Sequence, residues 1–205
     1  MRLLGYGEDA LTLSAVTAGL GQVLQQLGDP TPAKDAVVLY RPSFGRRSGT
    51  AERPRSEFGE FDAIVGTPEA TYLVEAKWSA SSELTEGVLT LRKEQLRRHK
   101  ILRRYIDGWR RAGSVDWATF ISSDDAREVL AVSGVSLPGP GTTLARNLEF
   151  VLKTVEACGP VRDVLLLSIP GIEDLRFDQA PDGFDPVQYR VDSAGGAGYL
   201  ALSLG

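Results

Sequence analysis

The sequence alternates short β-rich segments with segments of helical periodicity, and this alternation restricts the possible folds more than any other feature. Residues 36–40, 71–78 and 161–169 are rich in Val, Leu and other strand-forming residues. Between the last two, residues 85–112 carry apolar side chains at spacings of three and four, as one face of a helix does. Strands joined by long helical connections favour a mixed sheet covered by helices. We therefore predict an α/β fold.

The remaining elements are predicted from periodicity and from turn residues. We expect helices over residues 8–27 and 142–158, a loop over residues 43–56, and strands over residues 58–65, 115–122, 187–191 and 199–204. The order is then α-β-β-β-α-β over about residues 8–122, the core, followed by an α-β-β-β extension over about residues 125–205. A chain of 205 residues without a Pro- or Gly-rich linker is expected to form one domain.

Composition excludes several kinds of site and of location. The sequence has one cysteine, Cys158, and one histidine, His99, which excludes an internal disulfide, a thiolate-rich metal site and a multi-histidine zinc site. A bound metal would therefore be a hard cation held by oxygen, such as Mg²⁺, Mn²⁺ or Ca²⁺. Apolar runs fall far short of the roughly 20 residues of a membrane span, and no leader pattern is visible. We expect a cytoplasmic protein without a membrane partner.

Charge is distributed unevenly along the chain. The net charge is −4, yet residues 91–111 hold nine basic residues against two acidic ones. Such a cluster indicates a polyanionic partner, and the alternative is a solvated, arginine-rich helix face. The residues expected to contact phosphates are Arg97, Arg98, Lys100, Arg103 and Arg104.

Two consecutive predicted strands bring carboxylates to one place. Asp62 lies in the first strand, whereas Glu75 and Lys77 lie two residues apart in the second and so share a face. If the strands pair through a turn at residues 66–70, Asp62 and Glu75 become neighbours. Two close carboxylates repel each other, and a divalent cation between them removes the repulsion. With Lys77 supplying a compact positive charge, this set suits phosphodiester hydrolysis.

This pattern resembles the PD-(D/E)xK signature of restriction-endonuclease-like nucleases. Asp62, twelve intervening residues and Glu75-Ala76-Lys77, flanked by apolar residues, carry the resemblance. The predicted element order over residues 8–122 is also similar to the conserved core of that superfamily. Phe61 stands before Asp62 in place of proline, a change that the superfamily commonly tolerates. The resemblance does not extend to about residues 125–205.

The resemblance implies a magnesium-dependent phosphodiesterase, with Mn²⁺ as an alternative cofactor. Asp62 and Glu75 would bind the metal, and Lys77 would assist the attacking water. Glu8, at the start of the first predicted helix, matches an additional acidic ligand of many members. Gln95 matches a glutamine on the helix after the lysine strand, and it should face the sheet. The implied products carry a 5′-phosphate and a 3′-hydroxyl.

Each of these interpretations has a structural alternative. Asp62, Glu75 and Lys77 could form a cross-strand ion-pair cluster. Glu8 could be a first-turn acid that the helix dipole favours, and Gln95 an edge-of-core side chain bonded to backbone. His99 is expected near the scissile phosphate or on the helix surface.

Two hypotheses for the function of the whole chain follow from these alternatives. A nuclease would act on DNA, with RNA still open, because nothing in the sequence recognises a 2′-hydroxyl. As a single domain it would depend on a homodimer or on a targeting or activating protein partner. The alternative is a catalytically inactive nucleic-acid-binding or protein-interaction module that retains the fold. Metal dependence separates the two.

Overall fold

The fold is known from a computed structural model, which describes residues 3–44, 59–78, 81–85, 88–113, 116–133, 137–168, 183–191 and 199–202. In chain order the elements are β1 (Leu3–Tyr6), α1 (Gly7–Val16), α2 (Leu20–Gln26), a 3₁₀ turn (Ala33–Asp35), β2 (Val37–Tyr40), β3 (Ala63–Gly66), β4 (Thr71–Trp78), β5 (Leu84–Thr85), β6 (Val88–Leu89), α3 (Lys93–Ala112), α4 (Trp117–Ile121), α5 (Asp124–Ser133), α6 (Thr143–Thr154), β7 (Val161–Ser168), β8 (Phe184–Gln188) and β9 (Tyr199–Leu202).

Five of these strands form a mixed sheet in the order β2-β3-β4-β7-β8. The neighbours β2, β3 and β4 are antiparallel, whereas β4, β7 and β8 are parallel. β4 and β7 pair along their whole lengths, from Thr71 opposite Val161 to Trp78 opposite Ser168. Two further pairs lie outside this sheet, the β1–β9 ribbon and the β5–β6 hairpin.

Side chains of β4 alternate between two cores. Tyr72, Val74 and Ala76 pack with α1 and α2, whereas Leu73 packs with α3, α4, α5 and α6. Helices thus cover both faces of the sheet, which explains why seven of the eight residues of β4 are buried. The predicted α/β class, with a mixed central sheet flanked by helices, is confirmed. Tyr105 and Trp109 of α3 are fully buried, as their place in the apolar stripe predicts.

The strand predicted over residues 115–122 is wrong, because Asp116 starts a helix there. Its carboxylate accepts a hydrogen bond from the Thr119 backbone N–H at 2.7 Å, which is an N-cap interaction. Trp117 and Phe120 then reach the core from positions three residues apart. The strand that lies beside β4 is instead β7, so the core extends past residue 122 into the predicted extension.

Other predicted boundaries also differ. The helix expected over residues 8–27 breaks between α1 and α2, where the Tyr189 ring packs so closely on Gly19 that a Cβ there would lie 2.2 Å from it. The helix expected from residue 85 begins at Lys93, after the β5–β6 hairpin.

At the C-terminus, strands were expected over residues 187–191 and 199–204. β8 ends at Gln188 and β9 pairs with β1, while residues 203–205 lie outside the described residues. The loop expected over residues 43–56 falls mostly outside them as well. Within the part of the chain that is described, no helix combines the length and the apolar composition that a membrane span requires.

We expect Gly159→Ala to lower the free energy of unfolding by about 1–3 kcal/mol, because a Cβ at residue 159 would lie 2.0 Å from the Glu69 carbonyl oxygen in the β3–β4 turn. Gly21→Ala is the matched control. Its Cβ meets no atom within 4 Å, and alanine favours a helix over glycine by about 1 kcal/mol. Urea unfolding measures both changes. Equal stability of Gly159→Ala and the wild type would contradict this close approach.

Candidate active site at the edge of the central strands

Asp62 and Glu75 meet where β3 begins and β4 approaches its end. Ala63 pairs with Val74, so Asp62, one residue before β3, lies opposite Glu75. The Asp62 Oδ2 atom accepts a hydrogen bond from the Ala76 backbone N–H at 2.7 Å. The Asp62 side chain thus accepts the hydrogen bond that a backbone carbonyl of a longer β3 would accept. The strand predicted from residue 58 accordingly begins at Ala63. The predicted juxtaposition of the two carboxylates is present.

The Glu75 carboxylate is buried and receives hydrogen bonds from two elements. Its Oε1 accepts from Lys77 Nζ at 3.1 Å and from Gln95 Nε2 at 2.6 Å, while its Oε2 accepts from Arg98 at 2.6 Å. Burial by itself would raise the pKa of Glu75, but His99, Arg98 and Lys77 outweigh it and lower this pKa to about 2. Glu75 is therefore an anion at neutral pH.

Asp62 is in the opposite electrostatic situation. Burial and the negative charge of Glu75 raise the pKa of Asp62 to about 7, although the Ala76 N–H and Lys77 act against this. Of two neighbouring carboxylates, one keeps its charge and the other takes up a proton. Near neutral pH, Glu75 is therefore the charged member of this pair, and Asp62 is the member that binds a proton.

Lys77 lies between two carboxylates from different elements. Its Nζ is 3.1 Å from Glu75 Oε1 and 3.5 Å from Oε2 of Glu8, which comes from the first turn of α1. Burial would lower the pKa of Lys77, but Glu75 and Glu8 outweigh it and raise this pKa above its ordinary value. The side chain is 5 % exposed and stays an ammonium ion at neutral pH. Burial also raises the pKa of Glu8, more than Lys77 lowers it.

Gln95 connects the start of α3 to Glu75. Its Oε1 accepts a hydrogen bond from the Arg92 backbone N–H at 2.7 Å, and its Nε2 donates to Glu75 Oε1. Both ends of the amide are thus used, which fixes its orientation. As predicted, Gln95 faces the sheet rather than solvent.

The carboxylates provide the hard oxygen donors that Mg²⁺ or Mn²⁺ prefers. Mg²⁺ commonly keeps several waters and takes one or two carboxylates from the protein, which Asp62 and Glu75 can supply. Among the residues that the structure describes, no group of three or more Cys, His, Asp or Glu side chains is arranged to hold a metal ion. Glu8, predicted as a third ligand, contacts Lys77, and its role as a ligand stays a prediction. The oxygens of Asp62 and Glu75 are of the type that suits a cation held by two carboxylates and water, and the cation itself stays a prediction.

His99 lies behind Glu75 and is 1 % exposed. Its Nδ1 is 2.8 Å from Oδ1 of Asp163, and its Nε2 is 3.6 Å from Glu75 Oε2. Asp163 belongs to β7 and also accepts a hydrogen bond from Arg103 at 2.6 Å. The expected surface position of His99 is wrong, whereas its contact with a phosphate stays a prediction. Sequence reasoning missed Asp163, whose signal was an acidic residue directly before the apolar run Val164–Leu167.

The residues predicted to bind nucleic acid do not share one environment. Arg98 turns inward to Glu75 and lies over the Phe61 ring at 5.1 Å, and Arg103 turns to Asp163. The other three are exposed or half-buried on α3: Arg97, Lys100 and Arg104. Contact between these five residues and phosphates stays a prediction.

Comparison of the chain with protein-family models, with curated proteins and with solved structures finds no match. The interpretation of the site therefore depends on its own geometry. That geometry brings four predicted residues, Glu8, Glu75, Lys77 and Gln95, into direct contact. Asp62 joins them through the backbone between Glu75 and Lys77.

We expect Asp62→Asn to gain stability over the wild type as pH rises from about 4 to about 8. The pKa of Asp62 rises on folding from 3.8 to about 7. The stability that the protonated Asp62 carboxyl contributes is therefore fully present below pH 3.8 and is lost as the pH rises through about 7. Asparagine carries no such charge and can still accept from Ala76. Urea unfolding in metal-free buffer measures the difference.

Asp116→Asn is the control with the opposite sign. The Thr119 N–H lowers the pKa of Asp116, so its contribution is present above the ordinary pKa and is lost as pH falls. The asparagine variant should therefore lose stability relative to the wild type as pH rises. A difference between Asp62→Asn and the wild type that does not change with pH would contradict the charge distribution described above.

We expect the pKa of His99 to lie above its ordinary value and to fall in Asp163→Asn. Burial acts to lower this pKa, but the carboxylates of Asp163 and Glu75 outweigh it. The chain has one histidine, so its imidazole signals in a proton NMR titration are unambiguous. Asp185→Asn, on the neighbouring strand β8, should leave the titration unchanged. An unchanged pKa in Asp163→Asn would disprove the His99–Asp163 contact.

Proposed function

We propose that this chain is a metal-dependent nuclease with a restriction-endonuclease-like core, which hydrolyses phosphodiester bonds with DNA favoured as substrate. The observation that carries the proposal is the contact network that joins Glu8, Asp62, Glu75, Lys77 and Gln95. These residues come from α1, from the start of β3, from β4 and from α3. The order α1-β2-β3-β4-α3-β7 supports the core assignment, because β7 takes the place of the strand that was expected over residues 115–122.

Asp62 and Glu75 would hold the divalent cation. When bound, Mg²⁺ or Mn²⁺ polarises a phosphoryl oxygen and lowers the pKa of a bound water. Asp62 would give up its proton to serve as a ligand, because a positive charge beside it reverses the effect that raises its pKa. Glu75 is already ionised. Gln95 holds Glu75 Oε1 and so fixes the direction of that carboxylate.

Lys77 would act as a cation and hydrogen-bond donor rather than as a base. Its raised pKa keeps the ammonium protonated, and Glu75 and Glu8 hold it in position. An ammonium at this point orients the attacking water through an N–H and offsets negative charge on the phosphoryl oxygens as it develops. The proton of the attacking water would therefore pass to bulk water or to a non-bridging phosphate oxygen of the substrate, and the departing sugar oxygen would take up a proton from solvent.

A catalytically inactive binding module that retains the fold is the second candidate. It is favoured by the observation that both oxygens of Glu75 already accept hydrogen bonds from protein side chains, as in a structural ion network. Calorimetric titration with Mn²⁺ separates the candidates. Binding that Asp62→Ala abolishes supports the nuclease, whereas a wild type that binds no Mn²⁺ supports the module.

We expect the wild type to cleave supercoiled plasmid, single-stranded DNA or structured RNA in Mg²⁺ or Mn²⁺ and not in chelator. Lys77→Met keeps most of the side-chain volume but removes the charge, so cleavage should fall about 100-fold or more. Lys153→Met is the matched control, because Lys153 is 46 % exposed on α6. Cleavage that persists in chelator, or that Lys77→Met leaves unchanged, would contradict the proposal. Circular dichroism confirms that each variant is folded.

A further inference from the structure

The guanidinium of Arg98 occupies a close-fitting slot beside Glu75. It donates a hydrogen bond to Glu75 Oε2 at 2.6 Å and lies 5.1 Å from the centre of the Phe61 ring. Gly59 forms a further wall, because a Cβ at residue 59 would lie 2.7 Å from Arg98 Nη1. We name these surroundings, formed by Gly59, Phe61 and Glu75, the arginine slot. Only 12 % of the Arg98 side chain is exposed, so the slot holds a largely buried cation against a predicted metal ligand.

Both oxygens of the Glu75 carboxylate are engaged while Arg98 lies in the arginine slot. Oε1 accepts hydrogen bonds from Lys77 and from Gln95, which use both of its lone pairs. Oε2 accepts from Arg98 at 2.6 Å. A divalent cation bound to a Glu75 oxygen would lie about 2.1 Å from it and would repel the guanidinium. Binding of a cation to Glu75 therefore favours the loss of one of the three donors.

Of these three donors, Arg98 is the least firmly held. Lys77 also contacts the carboxylate of Glu8 at 3.5 Å, and the amide of Gln95 also accepts from the Arg92 backbone N–H at 2.7 Å. The Nε atom of Arg98 is buried, and within the described part of the chain it has no hydrogen-bond partner. A buried N–H without an acceptor is costly, because it has lost its water and gained no bond in return. Departure of Arg98 from the arginine slot recovers that cost.

Arg98 can leave the arginine slot while α3 stays in place. It stands on the second turn of the helix, and its neighbours Arg97 and Lys100 are exposed. An arginine side chain is long and has several rotatable bonds, so its guanidinium can move without a change in the backbone. Once away from Glu75, the guanidinium joins the solvated basic face of α3.

We propose that Arg98 is an internal counterion, which holds Glu75 in the metal-free protein and which a divalent cation displaces from the arginine slot. This inference rests on the proposed function and names how the same site is regulated. Arg98 compensates the charge of Glu75 until a cation is bound, and it then turns to solvent. The guanidinium and the cation thus compete for one carboxylate, and this competition sets the metal concentration at which the site fills.

Calorimetric titration of the metal-free protein with Mn²⁺ tests the proposal without any measurement of cleavage. Arg98→Met removes the competing charge and should bind Mn²⁺ about tenfold more tightly or more, because a charge-assisted hydrogen bond no longer has to break. If Arg98 instead served to position Glu75 as a ligand, the same variant would bind Mn²⁺ more weakly. Arg111→Met is the matched control, because Arg111 is also on α3 but pairs with Asp125 at 2.7 Å. It should bind Mn²⁺ as the wild type does.

Gly59→Ala displaces Arg98 without removing its charge. The new methyl group would take the space of Nη1, and the rigid guanidinium plane would carry Nη2 away from Glu75 as it moves. This variant should therefore also bind Mn²⁺ more tightly than the wild type, which a simple loss of positive charge does not explain. Gly21→Ala is its control, because a Cβ there meets no atom within 4 Å. Circular dichroism checks the fold of each variant, and Gly59→Ala decides the question if Arg98→Met does not fold.

Unchanged or weaker Mn²⁺ binding in either folded variant would overturn Arg98 as a displaceable counterion. The proposed function is decided separately by the wild type. Mn²⁺ binding that Asp62→Ala abolishes, but that neither Arg98→Met nor Gly59→Ala strengthens, would refute the displacement and leave the nuclease. Absence of Mn²⁺ binding in the wild type and in both variants would refute the displacement and the nuclease together.

Discussion

The structure depends on a negative charge buried in its central strand. Glu75 sits on β4 with helices on both sides, where an uncompensated carboxylate would be very costly. Lys77, Gln95 and Arg98 supply the compensation, and the contacts of Gln95 and Arg98 also hold α3 against β4. Truncation of one partner in such a network usually costs several kcal/mol. The same contacts that stabilise the fold therefore build the site.

Local pattern was sufficient to predict the centre of the molecule. The β-rich segment over residues 71–78 is β4 with the same limits, and a tight turn after β3 was enough to bring Asp62 opposite Glu75. Both features depend on neighbours in the sequence. The strand predicted over residues 115–122 was wrong for a reason that is also local. The helix N-cap at Asp116 outweighs the strand propensity of the residues that follow it.

The partners of the buried side chains could not be predicted in this way. His99 and Asp163 are far apart in the sequence, and their contact exists because β7 inserts beside β4 and under α3. The basic residues of α3 illustrate the same difficulty. The sequence predicts that Arg98 and Arg103 bind a polyanion. In the folded protein, each of them forms an ion pair with a carboxylate of the same chain. Charge in a sequence does not reveal whether its counterion is internal.

The pairing of β4 with β7 has a consequence for how the protein folds. Thr71 and Val161 pair although they lie about ninety positions apart, and α3 to α6 intervene between them. Contacts of such high contact order form slowly, because a long loop must close before they are made. We therefore expect the contacts of Asp163 with His99, and of His99 with Glu75, to form late in folding. The edge of the sheet that carries the candidate site would then be completed after the local elements have formed.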